Sequence, residues 1–396
     1  MTDQGKTPPE PDAESLFFSG GGRISGGLER LQLAHEARIH AWRVASLLAA
    51  VTWLPLLILA AVDGVAWGDR VGVTFLKDFL PHGQFLVVVP ALVIGEIMVG
   101  RRLGWAAVET RRSGILSPED TPAFDGLVAS AVGRWRGRGV NSVLVLLTVM
   151  ATALWFWRAR EWLTGELLTG EWQYIGEQMT LSGWWYSLIS VTVLRFLILL
   201  WLWRLLLWAW VLWRTARLNL RPQPTHADRA GGLAFLGAAQ TAFGLLVFAF
   251  GVQLSCGLAD AVMYQGADLM AFRGHVAAFV LMAVTVLLLP LLPFAPRLLR
   301  AREESLAFLR GKVYRGAEHL DRQLREGGSG ESLGEEISAQ ADFGELYANA
   351  RWMKPVPLEL QHIFVMVLAA LLPFLPLVFL VIPAQEVFRV MFRLVM

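Results

Sequence analysis

Residues 184–213 form a run of 30 with only two charged side chains, Arg195 and Arg204. A helix needs roughly 20 apolar residues to cross the hydrocarbon core of a bilayer, about 30 Å thick. This run therefore sets the solvent of the fold: the chain spans a membrane. Composition agrees, at 55% hydrophobic, 17% charged and 17 tryptophans in 396 residues. That balance describes a polytopic membrane protein, not the two or three soluble domains that length alone suggests.

Seven stretches are long and apolar enough to span, near 43–62, 84–100, 140–157, 185–213, 232–256, 275–296 and 363–382. A closed β-barrel needs alternating strands of about ten residues, which these unbroken runs exclude. The expected fold is an all-α polytopic transmembrane helix bundle of about seven spans. Residues 1–27 read as a polar, disordered tail with no cleavable signal peptide, so the first span serves as an uncleaved anchor. Residues 28–296 form a six-span membrane region. Residues 297–362 hold an amphipathic cytoplasmic helix and a strap, and 363–396 the seventh span and a tail.

Orientation follows from arginines in the loops. The loop after the second span carries Arg101, Arg102, Arg111, Arg112, Arg134, Arg136 and Arg138, and the turn after the fourth carries Arg214, Arg217, Arg221 and Arg229. The intervening loops are acidic or sparsely charged, with Glu161, Glu166, Glu171, Glu177, Asp260 and Asp268. This alternation places the N-terminus in the cytoplasm. The basic tail at Arg389 and Arg393 is the one feature against it.

Arg195 and Arg204 are nine residues apart, which at about 100° per residue sets them on opposite faces of one helix. A helix charged on both faces is expected to have no lipid-facing side at that depth. Glu96 is the only carboxylate within the second span as delimited here, and counting rise per residue puts it near the depth of Arg204. A Glu96–Arg204 pair is predicted, with Trp201 and Trp208 on the arginine's face. Arg195 has no evident carboxylate partner. Glu96, Arg195 and Arg204 are the candidate path or buried-charge residues.

After Arg221 comes Pro-Thr-His-Ala-Asp-Arg-Ala-Gly-Gly-Leu, residues 224–233. Thr225-x-x-Asp228 is a capping-box pattern ahead of an apolar run. The rest of the turn suggests an anion site at a helix N-terminus, built from Thr225, His226, Asp228, Arg229, Gly231 and Gly232. Ala230, Gly237, Gly244 and Gly251 then recur every seven residues, a stripe for close helix contact. Further on, Pro290, Pro293 and Pro296, and then Pro373 and Pro376, are expected to kink or break the last two spans. Beyond 297, Leu306, Leu309, Val313, Leu320 and Leu324 mark an amphipathic helix, and 350–357 reads as an extended strap.

No P-loop, dinucleotide glycine pattern or hydrolase signature is present, so no catalytic residue is assigned. Neither cofactor nor metal is implied: Cys256 is the one cysteine, and the seven histidines lack ligand spacing. Arginines in the loops fit topology and anionic lipid, not nucleic acid. The 224–233 turn, together with Arg351-Trp-Met-Lys-Pro-Val-Pro357, resembles a family of uncharacterised bacterial multi-spanning inner-membrane proteins. The likeness covers about 200 C-terminal residues and implies location and fold, without an activity. The functional expectation is a channel or transporter for ions or small, anionic solutes. The alternative is a membrane scaffold or sensor that docks a cytoplasmic partner through 297–357. Partners expected are the lipid bilayer and a second copy or a cytoplasmic protein.

Overall fold

The computed structural model describes residues 37–162, 171–176, 178–326 and 331–381. Seven helices are long and apolar enough to cross a membrane: α1 (Ala41–Val62), α2 (Phe79–Arg112), α4 (Gly139–Trp157), α5 (Leu181–Thr215), α6 (Ala234–Tyr264), α7 (Leu269–Arg325) and α9 (Leu360–Phe379). Two polar helices lie between spans, α3 (Thr121–Arg136) and α8 (Glu331–Arg351). The strands β1 (Tyr174–Ile175) and β2 (Gln178–Met179) make the only sheet among the described residues. The protein is an all-α, multi-pass bundle whose environment is a lipid bilayer. The expected tail at 1–27, Glu166, Glu177, the glycine-rich break at 327–330 and the segment 384–396 lie outside the described residues.

The spans alternate in direction, so their ends gather into two faces. The basic end carries α3, the 216–233 turn and the α7–α8 hairpin. The acidic end carries Asp63, Asp78, the β1–β2 hairpin, Asp260 and Asp268. α2 is longer than its predicted 84–100 because both ends are secured outside the apolar run. Asp78 Oδ1 accepts from Leu80 N at 2.9 Å, and Arg111 and Arg112 complement the negative end of the helix dipole. α5 starts on Thr180, whose Oγ1 accepts from Gly183 N at 2.9 Å, and on Asp63, which accepts from Ser182 N at 2.9 Å.

Burial ranks the helices. α6 and α2 bury 61% and 56% of their spans, whereas α4 buries 17% and packs chiefly on α5. The seven-residue stripe of α6 performs the predicted close contact, and its partner is α9 with the strap before it. A Cβ at Gly251 would lie 2.8 Å from Pro373 Cγ, one at Gly244 3.3 Å from Ala369 Cβ, and one at Gly237 2.6 Å from the Pro357 carbonyl.

The proline pairs interrupt the α-helical winding of the last two spans, in line with the expectation. Leu289–Phe294 in α7 and Leu372–Phe374 in α9 wind as 3₁₀ turns, and helix continues on both sides. Pro290, Pro296 and Pro373 each occupy the first turn of a segment, where the missing N–H removes no bond. Past its 3₁₀ segment, α7 resumes as α-helix from Ala295 to Arg325 and enters the hairpin with α8. The hairpin is pinned by Arg302 donating to the Arg351 carbonyl (2.7 Å) and Gln340 donating to the Val313 carbonyl (3.1 Å). The strap after Arg351 is non-helical, as predicted.

Candidate functional site: the charged interior

Toward the basic end, α2 and α5 bring Glu96 and Arg204 together as an ion pair. Arg204 is 2% exposed and Glu96 28%. The predicted pair is present because depth along each helix accumulates by a fixed rise per residue. The aromatic surround is only half as expected. Trp201 lies 5.8 Å from the guanidinium carbon, but Trp208 turns away and donates to Gln240 Oε1 at 2.9 Å. The closer ring is Trp135, at 4.1 Å, brought in by α3 from outside the spans. Arg204 Nε and Nη1 have no hydrogen-bond partner among the described residues.

Toward the acidic end lies a second buried cluster that the loop-charge reading passed over. Asp78 accepts from Trp172 Nε1 at 2.8 Å, and Asp260 accepts from Phe79 N at 3.1 Å. Asp78, through Leu80 N, and Asp260, through Phe79 N, thus converge on the first turn of α2. Burial pushes the Asp78 carboxyl above the ordinary carboxylate range, against the pull of Trp172 and Leu80. Burial and then the charge of Asp78 push Glu171 up as well. Trp53 donates to His82 Nδ1 at 3.4 Å, and Phe75 packs edge-on against both His82 and Trp172. The sequence signal was that Asp260 falls within the last apolar turn of α6, not in the loop after it.

Below this cluster, α2 and α5 each contain a π-helical turn, Gly83–Val88 and Tyr186–Ser190. Such turns are frequent at functional sites. They meet through Tyr186 OH donating to Gln84 Oε1 (3.2 Å), and Gln84 Nε2 donates on to Gln253 Oε1 (3.5 Å). Between this belt and Glu96 lie about 18 Å of α2, packed with Val88, Val89, Leu92, Leu194, Leu197 and Val247.

Arg195 is not in this interior. It is partly exposed, and its Nη1 donates to Thr152 Oγ1 on α4 at 3.1 Å. Arg195 and Arg204 do lie on opposite faces, but the expectation that α5 has no exposed side is wrong. Leu206 and Trp213 are 63% and 40% exposed on the Arg195 face.

The 224–233 turn is built around Asp228. Its carboxylate accepts from Ala230 N (2.9 Å), Gly232 N (3.0 Å) and Ala234 N (3.1 Å). Desolvation alone would raise this carboxyl, but these bonds outweigh it and hold Asp228 below the ordinary carboxylate value. The predicted capping box is therefore corrected. The helix begins at Ala234, six residues past Asp228, and Asp228 itself reaches forward as the cap. Thr225 contributes its carbonyl, which accepts from Asn349 Nδ2 at 3.5 Å. His226 Nδ1 lies 2.9 Å from Asp228 Oδ1, with the ring half-exposed. Arg229 has φ +52° and holds the strap through Lys354 N donating to its carbonyl (2.8 Å). Gly231 (φ +70°) and Gly232 (φ +84°) pack beside Met353 and Ile115 respectively. Three N–H groups that could receive an anion here are occupied by Asp228.

Among the described residues no group of three or more His, Cys, Asp or Glu side chains is arranged to hold a metal ion. No protein-family model, curated protein or solved structure matches the chain.

Proposed function

We propose that the protein is a channel or transporter of the bacterial inner membrane, N-terminus in the cytoplasm, for ions or small anionic solutes. One observation carries this reading: a fully buried guanidinium with two unfilled donors. Buried donors are rarely left open, and here the groups that fit them are water or a small anion. Glu96 holds the site between occupants, and the 224–233 turn, with His226 and Arg229, rims its cytoplasmic approach. The apolar layer above Glu96 closes the path to the acidic end, as alternating access requires of one of its states. In proteoliposomes, chloride, phosphate or acetate flux is expected, and Arg204→Ala should lower it at least tenfold. No flux of any of the three by the wild type, in folded protein, ends this reading.

A second reading, a scaffold or sensor, is favoured by Phe308 and Tyr314. They stand 67% and 71% exposed on the polar α7–α8 hairpin, beyond the lipid. It predicts that Phe308→Ala and Tyr314→Ala impair binding of a cytoplasmic partner or a second copy without touching flux.

A further inference from the structure

α5 presents to the outside of the bundle a stripe of Arg195, Leu199, Leu202, Leu206 and Trp213, all partly or wholly exposed. Their spacing of four, seven, eleven and eighteen residues from Arg195 keeps them on one face. α4 flanks the stripe and is itself covered chiefly on its α5 side. Lipid tails can cover the leucines but not the arginine. Arg195 lies about 5 Å from the middle of a helix about 52 Å long, too deep for its side chain to reach either headgroup layer. Among the described residues its hydrogen-bond acceptor is the neutral Thr152, which also hydrogen-bonds Thr192 at 3.1 Å. A hydroxyl leaves the charge uncompensated in hydrocarbon.

We infer that the groove between α4 and the Arg195 stripe of α5 receives a transmembrane helix of another protein, one bearing an Asp or Glu at mid-membrane. Charge selects the occupant. A second copy packed face to face across a two-fold axis would set Arg195 near Arg195. Within the apolar stretches of a second copy's described spans, the carboxylates Glu96 and Asp260 are already engaged, with Arg204 and with Phe79 N. A helix with one acidic residue in an apolar background supplies the missing charge, and the leucines of the stripe supply the packing seam. This inference concerns the outer face of α5 and stands whether or not the interior transports anything.

The full-length protein, labelled with a donor fluorophore in liposomes of zwitterionic lipid, is titrated with acceptor-labelled leucine-based transmembrane peptides. One peptide carries a central Asp, one a central Lys and one only leucine. The Asp peptide is expected to associate at least tenfold more tightly than the leucine peptide, and Arg195→Leu should abolish the difference. Arg195→Glu should transfer the preference to the Lys peptide, which a merely misfolded variant would not do. Equal binding of the Asp and leucine peptides overturns the inference. So does self-association of the wild type that Arg195→Leu abolishes, since it assigns the face to a second copy.

Discussion

A guanidinium enclosed among apolar helices keeps its charge, so the fold depends on the carboxylate beside it. Removing one partner of a buried pair costs about 3–5 kcal/mol, whereas replacing both by apolar groups of similar size is often neutral. Glu96→Ala is therefore expected to unfold at clearly lower temperature than the Glu96→Leu/Arg204→Met double variant, measured by melting in detergent. Asp228 acts by a different route. Asp228→Ala leaves three backbone donors open at the start of α6 and should destabilise by at least about 2 kcal/mol. Its carboxyl is held below the ordinary value, so its contribution is present at neutral pH and fades only as pH falls through that lowered value. Asp78 has the opposite sign. Its carboxyl is raised, so the folded state holds more protons than the unfolded chain between the ordinary value, about 3.9, and the raised one. Stability should fall as pH rises through that window. Asp78→Asn keeps an acceptor for Trp172 and should flatten this slope. Glu171 beside it is pushed up as well, so a residual slope of the same sign is expected.

At the scale of elements, α6 and α9 show how spacing becomes contact. The glycine stripe lets the α9 backbone approach, and the tightest point is Gly251 against Pro373. Gly251→Leu should lower the melting temperature by several degrees, because neither backbone can retreat. Gly257 lies in the same helix with nothing within 4 Å of an added Cβ, and Gly257→Ala should be neutral or stabilising by up to about 1 kcal/mol. The pair of variants separates close packing from helix propensity. The seven-residue repeat made the contact surface of α6 legible in the sequence. The identity of the partner was not, because a stripe of small residues fits any apolar helix. The prolines marked where the α-helical winding is interrupted, but not the form of the interruption. That form depends on where a new turn begins: Pro290, Pro296 and Pro373 fall in a first turn, whereas Pro293 sits inside the 3₁₀ segment.

For the whole molecule, charge separates into two ends. The basic end gathers the arginines of α3, the 216–233 turn and the α7–α8 hairpin, and is the end we propose faces the cytoplasm. With Cys256 replaced by Ser, a cysteine at exposed Ser130 should resist a membrane-impermeant maleimide in intact cells, and one at exposed Gln265 should react. The reverse pattern would invert the protein and move the proposed anion approach to the other side.

The sequence by itself determined the solvent of this protein, its seven spans and the Glu96–Arg204 pair. Each depends only on length and on depth counted along a helix, and both are set by a constant rise per residue. The tertiary structure alone decided which face of each span looks inward. In water an amphipathic stripe announces that face, but a span apolar all round has none to read. Hence Trp135 over Arg204, the convergence of Asp78 and Asp260 on the start of α2, and the outward turn of Arg195 all came from packing. Arg195 sat in the same apolar run as Arg204, and its neighbours, not its position in the chain, left it facing out.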